Sequence, residues 1–222
     1  MLKKKLVIFD WDGTIEDSIL LIICSVKQAA STIGFSEPSE NDIRNIIGLS
    51  LWNAVSILFP NSTKLEQESF INIYKACYKS AQQIELRLFE NVGVTLERLK
   101  KKNYMLAIAT GKSRDGLDRS LHMTGLTNLF DGSRTADETA SKPDPQMVLD
   151  LLKQLNIAPT NALMIGDSKH DLEMAQNASI ASIGATYGVH DKAILAKHLP
   201  IGFACDFEEI LLLVDRHFAE KN

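Results

Sequence analysis

Two aspartates separated by one residue, Asp10 and Asp12, follow a short apolar run at residues 6–9. A carboxylate can attack phosphorus and form an aspartyl-phosphate when a cation such as Mg2+ offsets the repulsion between the two anions. A second carboxylate can protonate the leaving group and later activate water. These aspartates therefore predict metal-assisted phosphoryl transfer. The alternative is that both only cap the helix that follows them.

The apolar run 6–9 is too short for a helix and is bounded by lysines and by the acidic turn. Such a run is typical of a strand buried on both faces, as at the centre of a parallel sheet. Gly13 lets the backbone turn away directly after the aspartates. In open α/β sheets, ligands bind beyond the carboxyl ends of the strands. We therefore expect Asp10 and Asp12 at the ligand-binding edge of a sheet.

Two later segments carry groups that suit phosphate oxygens. Thr110 and Gly111 follow a strand predicted at residues 104–109 and offer a hydroxyl and an unobstructed backbone amide. Lys142 precedes a Pro-Asp-Pro helix start, where the helix dipole also favours an anion. Each of these alone could equally be a turn without a ligand or a solvated surface charge.

A second pair of carboxylates, Asp167 and Asp171, follows a strand predicted at residues 162–165. Their spacing of four puts both on one face of the first turn of a helix. Like charges so placed repel each other unless a cation or Lys142 compensates them. Helix capping explains either aspartate singly but explains the pair poorly. Together with the first pair, they indicate a site for a divalent cation.

Composition and charge exclude several classes of protein. With 45% apolar and 23% charged residues, the 222-residue chain has the composition of an ordinary globular protein, long enough for one large domain or a core with an insertion. A net charge of −4 argues against a nucleic-acid partner. The amino-terminal lysines precede only four apolar residues, too few for a signal peptide, and no run approaches the roughly 18 apolar residues of a membrane span. We expect no membrane partner.

The three cysteines, Cys24, Cys77 and Cys205, are far apart and odd in number. They predict reduced thiols in a cytoplasmic protein, not a disulfide framework or a zinc site.

The order of elements predicts an α/β fold. Four helices without a convincing strand occupy residues 17–88, and helices then alternate with strands from residue 92. That alternation predicts a doubly wound, Rossmann-like parallel sheet, to which the first strand also belongs. The remaining strands are expected at residues 132–136, 180–186 and 202–205. We predict a core domain of residues 1–16 and 89–222 and an inserted small α-helical cap of residues 17–88.

Taken together, these segments resemble the motifs of the haloacid dehalogenase (HAD) superfamily of phosphohydrolases. Residues 10–14 (DWDGT) are similar to its first motif, Thr110 to its second, Lys142 to its third and residues 166–171 (GDSKHD) to its fourth. The motifs occur in the family's order, and the resemblance covers essentially the whole chain. The helical insertion is similar to the cap of relatives such as phosphoglycolate phosphatase and β-phosphoglucomutase.

The resemblance implies a role for each residue. Asp10 would be the nucleophile and a Mg2+ ligand. Asp12 would be the acid/base, with its backbone carbonyl on the metal. Thr110, Gly111 and Lys142 would hold the phosphoryl oxygens, and Lys142 would offset the charge on Asp10.

The same resemblance assigns the second pair of carboxylates to the metal. Asp167 would bind Mg2+ directly, and Asp171 would support it from behind the ligands or through a water molecule.

Residues 47–52 resemble the cap loop that faces the active site in this family. Gly48, Leu49, Ser50 and Trp52 would then set substrate choice. Mutases of the family carry an arginine just after that glycine and phosphonatases a lysine, whereas residues 49–53 contain neither. This favours a simple phosphatase. By resemblance its default substrate is 2-phosphoglycolate, with sugar phosphates, nucleoside monophosphates and pyrophosphate left open. A phosphomutase of the β-phosphoglucomutase type is the alternative.

Two non-enzymatic interpretations remain. A receiver-type signalling domain places similar residues around an aspartyl-phosphate, but it is much shorter and has no cap. A non-catalytic HAD relative would be expected to have lost a motif, and this chain has lost none.

We expect the protein to act as a monomer or a homodimer.

Overall fold

The computed structural model describes residues 4–219. Within them, six parallel strands form one sheet in the order β3-β2-β1-β4-β5-β6. The strands are β1 (Lys5–Phe9), β2 (Tyr104–Thr110), β3 (Gly132–Thr135), β4 (Ala162–Gly166), β5 (Ala181–Ala185) and β6 (Gly202–Ala204). This confirms the predicted doubly wound α/β sheet. The order of strands reverses between β1 and β4, the place where ligands bind in such folds.

Helices cover both faces of the sheet, and the alternation of side chains along β1 explains why. Val7 and Phe9 belong to one apolar cluster, whereas Leu6 and Ile8 belong to another on the opposite face. The helices of the first cluster are α5 (Val92–Lys101), α6 (Arg114–Thr124) and α10 (Phe207–Ala219), and those of the second are α7 (Gln146–Leu155) and α8 (Lys169–Asn177). A strand buried on both faces has to be apolar throughout, as the sequence of β1 is.

Four helices lie between β1 and α5 and share an apolar cluster of their own. They are α1 (Ile19–Ile33), α2 (Glu40–Ile46), α3 (Leu51–Leu58) and α4 (Lys64–Glu85). Phe35, Phe59 and Phe70 form the aromatic part of this cluster, with 5.0 Å between the ring centroids of Phe59 and Phe70. We call α1–α4 the cap. The boundaries that we place at residues 17–88 stay a prediction.

The starts of the cap helices follow local capping chemistry. The side chains of Ser39, Ser50 and Thr63 each accept a hydrogen bond from a backbone amide three residues on. The first helix, α1, ends at Gly34, whose left-handed φ of +80° suits glycine.

Predicted and observed elements differ mainly at their ends. The strand expected at residues 180–186 is limited to β5, and α9 (Lys192–Leu195) is not anticipated at all. A helix of four residues is too short to show a helical period in the sequence.

The chain crosses between cap and core twice, and the two crossings are hydrogen-bonded to each other. The amide of Asp17 donates to the carbonyl of Arg87 at 2.9 Å, and the amide of Phe89 donates to that of Ile15 at 3.2 Å.

Across residues 4–219, no helix is long and apolar enough to cross a membrane.

Candidate active site

Three buried carboxylates meet at the carboxyl edge of the sheet. Asp10 follows β1, Asp167 follows β4, and Asp171 lies in the first turn of α8. One oxygen from each lies within 4.8 Å of the others. Because β1 and β4 are paired in register, with Phe9 opposite Ile165, the residues after them are brought side by side.

Asp167 is held by both of its oxygens. The hydroxyl of Thr14 donates to Oδ1 at 2.8 Å, and the amide of Val189 donates to Oδ2 at 2.7 Å. A Cβ on Gly13 or Gly188 would collide with this carboxylate, so both positions depend on glycine. Burial, followed by the charge of Asp171, raises the pKa of Asp167 to about 7. A nearby cation would oppose that shift and favour the ionised form.

Asp171 performs two tasks at once. Its Oδ2 accepts hydrogen bonds from the amide and the hydroxyl of Ser168, at 3.0 and 2.6 Å, which forms a capping box at the start of α8. Its Oδ1 lies 2.6 Å from Nζ of Lys142. The capping interpretation is thus correct for Asp171, but it accounts for one oxygen and leaves the ion pair unexplained.

Lys142 lies fully buried between Asp10 and Asp171. Its ammonium is 2.6 Å from Oδ1 of each carboxylate. Burial lowers the pKa of Lys142, but the two carboxylates outweigh it and hold the pKa above its ordinary value. The structure therefore brings the lysine of the predicted third motif directly to Asp10, as a cation.

The cluster has the properties of a divalent-cation site. Oδ2 of Asp10 is buried and has no hydrogen-bond partner within the described part of the chain. Burial, with a smaller contribution from Asp171, raises the pKa of Asp10 well above its ordinary value. Asp10 and Asp171 share the ammonium of Lys142, and Asp167 forms no ion pair within residues 4–219. When all three carboxylates are ionised, two negative charges are therefore left uncompensated. Buried carboxylate oxygens are the ligands that Mg2+ prefers, so the residues fit this ion.

Asp12 lies apart from the three-carboxylate cluster and is held by one oxygen. Its Oδ1 accepts a hydrogen bond from the hydroxyl of Ser18 at 2.7 Å and lies 3.0 Å from Nζ of Lys112. The hydroxyl of Tyr78, in the cap, is 3.4 Å from the same oxygen. The contact that we predict between the Asp12 backbone carbonyl and a metal stays a prediction.

Lys112, Tyr78 and Ser18 were missed by the sequence analysis. Lys112 comes two residues after Thr110, at a strand end where a cation would suit a phosphate, so its position carried a signal. Tyr78 carried none, because a tyrosine within an apolar helix face indicates packing and not a polar contact.

A cavity of about 250 Å³ lies between the core and the cap. On the core side it is lined by Asp10, Asp12, Thr110, Gly111 and Lys112, and on the cap side by Gly48, Leu49, Tyr74, Lys75, Tyr78 and Lys79, among others. Of the four predicted cap residues, Gly48 and Leu49 line the cavity and Ser50 and Trp52 do not. Trp52 is 44% exposed, and the amide of Ser50 donates to the hydroxyl of Ser141 at 2.8 Å.

The cap loop is in contact with the core. A Cβ at Gly111 would lie 2.6 Å from the carbonyl oxygens of both Gly48 and Leu49, so only glycine allows this approach. A ring nitrogen of His170 lies 2.9 Å from the carbonyl of Asn45 in α2. The cap is thus closed over the cavity.

Residues 7–185 match the family model of the haloacid dehalogenase-like hydrolases. The chain belongs to this family. The segments that we compared with the four HAD motifs all lie within the matched range, which runs from β1 to β5.

Relatives of the chain carry two kinds of name. It is 31% identical over 195 residues to a pyrophosphatase PpaX of Bacillus velezensis, covering 87% of this chain and 88% of that one. It is 29% identical to a phosphoglycolate phosphatase of Vibrio cholerae, covering 95% and 96% of the two chains. A crystal structure described as a predicted phosphoglycolate phosphatase of Haemophilus somnus superposes with a TM-score of 0.84 at 28% identity, covering 96% and 99%.

Proposed function

We propose that this HAD-family protein is a Mg2+-dependent phosphatase that hydrolyses a small phosphate ester through an aspartyl-phosphate on Asp10. The observation that carries the proposal is the buried cluster of Asp10, Asp167 and Asp171 with Lys142, placed beside a cavity that the cap closes. Asp10 and Asp167, with support from Asp171, would hold the ion, which when bound neutralises charge on the phosphoryl oxygens.

In the first step, a carboxylate oxygen of Asp10 attacks phosphorus and the bond to the leaving oxygen breaks. Asp12 gives its proton to that oxygen, so an alcohol departs from a phosphate ester, or inorganic phosphate from pyrophosphate. Lys142, together with the hydroxyl of Thr110 and the amide of Gly111, stabilises the charge on the transferred group.

In the second step, water attacks the phosphorus of the aspartyl-phosphate. Asp12, now a carboxylate, accepts a proton from this water, and the bond between phosphorus and Asp10 breaks. Phosphate leaves, and Asp10 and Asp12 return to their starting states.

The cap side of the cavity favours a substrate with a second anionic group. Lys75 and Lys79 lie one turn apart on α4, line the cavity and form no ion pair within residues 4–219. Pyrophosphate and 2-phosphoglycolate, the substrates that the relatives' names indicate, both carry such a group beside the phosphate that is attacked. We propose that Lys75 and Lys79 bind this group, while Gly48 and Leu49 limit its size.

We expect Lys75→Met and Lys79→Met each to raise KM about threefold to tenfold for a substrate with a second anionic group, such as 2-phosphoglycolate. The reason is that a partly exposed charge contact contributes about 1 kcal/mol to binding. KM for p-nitrophenyl phosphate, which lacks a second anion, should change little. Lys64→Met is the matched control, since Lys64 lies on the same helix outside the cavity. A parallel rise of KM for both kinds of substrate would show that the lysines only attract phosphate in general.

The proposed function is tested by measuring phosphate release over a panel of substrates in the presence of Mg2+. The panel contains p-nitrophenyl phosphate, 2-phosphoglycolate, pyrophosphate, sugar phosphates and nucleoside monophosphates. We expect hydrolysis of p-nitrophenyl phosphate together with a preference for either pyrophosphate or 2-phosphoglycolate, the two compounds that carry a second anionic group. Conversion of a sugar phosphate into an isomer without release of phosphate would instead identify a mutase.

We infer a cytoplasmic location from the cysteines. The thiols of Cys24, Cys77 and Cys205 are free, which suits a reducing compartment. The proposed partner is the small phosphate compound itself.

A further inference from the structure

A buried polar network connects Asp12 to the cap. Lys112 places Nζ 3.0 Å from Oδ1 of Asp12 and 3.0 Å from the hydroxyl of Tyr78. The same ammonium lies 4.5 Å from the centroid of the Tyr78 ring, within the range of a cation–π interaction. Asp12 and Lys112 belong to the core and Tyr78 to α4, so this network spans the boundary between the two.

The contacts of Asp12 all fall on one of its two oxygens. Ser18, Lys112 and Tyr78 approach Oδ1. Oδ2 receives no hydrogen bond from any residue in the described range 4–219, and Asp12 lines the cavity. One oxygen is therefore used to orient the carboxylate, and the other is available to exchange a proton with a ligand.

A second carboxylate, that of Glu16, also belongs to this network and adds a negative charge near Lys112. It is buried and accepts hydrogen bonds from Trp11 at 2.6 Å, Gln82 at 2.9 Å and Tyr78 at 3.1 Å. Burial lowers the pKa of Lys112, but Asp12 and then Glu16 outweigh it and hold the pKa above its ordinary value. Lys112 is thus held as a cation, paired with Asp12 and further stabilised by the nearby charge of Glu16.

The hydroxyl of Tyr78 acts mainly through Lys112. A hydroxyl has one proton, and Oε1 of Glu16 at 3.1 Å is a closer acceptor than Oδ1 of Asp12 at 3.4 Å. The oxygen of Tyr78 then accepts a hydrogen bond from Lys112. Tyr78 therefore fixes the position of the ammonium, and the ammonium fixes that of Asp12.

We propose that Lys112 is a positioning residue that holds Asp12 in the orientation for proton transfer, and that Tyr78 makes this hold depend on closure of the cap. When α4 moves away, Lys112 loses one of its two anchors and Asp12 is held less firmly. Proton transfer is then efficient only while the cavity is closed. This role rests on the proposed function, because it requires Asp12 to be the acid and base.

Substrates with different leaving groups can show whether Lys112 acts through proton transfer by Asp12 or only supports the structure of the site. p-Nitrophenolate departs readily without a proton, whereas an alkoxide does not, so the first step needs Asp12 only for alkyl phosphates. The second step needs a base for every substrate. Asp12→Asn should therefore release p-nitrophenolate in a burst of up to one equivalent of enzyme and then turn over slowly.

The test compares Lys112→Met with this Asp12→Asn behaviour by rapid mixing, with p-nitrophenyl phosphate and with 2-phosphoglycolate. With p-nitrophenyl phosphate, we expect Lys112→Met to show the same burst as Asp12→Asn. Its steady-state turnover should fall on the order of 100-fold, the lower end of the range for acid–base catalysis. Turnover of 2-phosphoglycolate should fall by a similar factor without a burst. Lys112→Arg keeps the cation and should restore part of the loss. Tyr78→Phe removes one hydrogen bond and should lower turnover about threefold to tenfold.

Gln82→Met is the matched control for a merely structural role. Gln82 also connects α4 to the core, through Glu16 and, at 2.8 Å, through Ser120, but it does not touch Asp12. It should leave the ratio of burst rate to steady-state rate at the wild-type value. The same altered ratio in Gln82→Met, or an equal fall of burst and steady-state rates in Lys112→Met, would overturn the proposal. Wild-type protein that releases phosphate from no compound of the panel would refute the proposed function itself.

Discussion

Replacement of Asp10 by asparagine is expected to abolish phosphate release, with a loss of turnover of about 10,000-fold or more, as for other essential nucleophiles. The amide keeps the size of the side chain but cannot attack phosphorus. The fold should survive the change, because burial and then the neighbouring Asp171 disfavour the charge of Asp10 and hold its pKa above the ordinary value. Phosphate release and the midpoint of thermal unfolding are the two measurements.

Asp115→Asn is the matched control for this variant. Asp115 also lines the cavity, but its side chain is 91% exposed and pairs with Arg119 at 3.0 Å. It should retain turnover near the wild-type value. In the wild-type protein, mass spectrometry after acid quenching should find a phosphoryl group on Asp10. Turnover by Asp10→Asn within tenfold of wild type would rule out this residue as nucleophile.

Removal of divalent cations with EDTA is expected to abolish phosphate release, and added Mg2+ should restore it. The reason is the pair of uncompensated charges in the cluster of Asp10, Asp167 and Asp171, beside which a phosphate dianion would be repelled. Because the ion would bind the folded protein and not the unfolded chain, Mg2+ should also raise the midpoint of thermal unfolding. At 100 times the dissociation constant, the gain in free energy of unfolding is about 2.7 kcal/mol.

The thermal measurement provides a check that does not depend on catalysis. Asp167→Asn should lose most of the stabilisation by Mg2+, whereas Asp115→Asn should keep it. Full activity in EDTA, or the same Mg2+ effect in both variants, would contradict a metal site at Asp167.

Local patterns determine the sheet and the position of its polar ends. The apolar run at residues 6–9 and the alternation of helix and strand after residue 92 were sufficient to predict a parallel sheet, though not the order of its strands. Parallel strands all end at the same edge of a sheet, so the residues after β1, β2 and β4 had to meet there. The sequence therefore predicted that Asp10 and Asp167, 157 positions apart, lie at the same edge of the sheet. The pairing of β1 with β4, which makes them neighbours, came from the structure.

The sequence also carried the family assignment, because the four motifs keep their residue types and their order. It did not reveal that Asp171 would serve both as a helix cap and as the partner of Lys142. A spacing of four shows that two side chains share a helix face, but it does not show which oxygen meets which neighbour.

The way in which the cap meets the core was decided by the tertiary structure. The position of α4 brings Tyr78 to Lys112 and Gln82 to Glu16, and it places Lys75 and Lys79 at the cavity while Trp52 stays exposed. Periodicity along a helix identifies the face that is buried, but the partner of that face depends on how two separately packed units lie against each other. That arrangement follows from contacts between residues far apart in sequence, which no local pattern records.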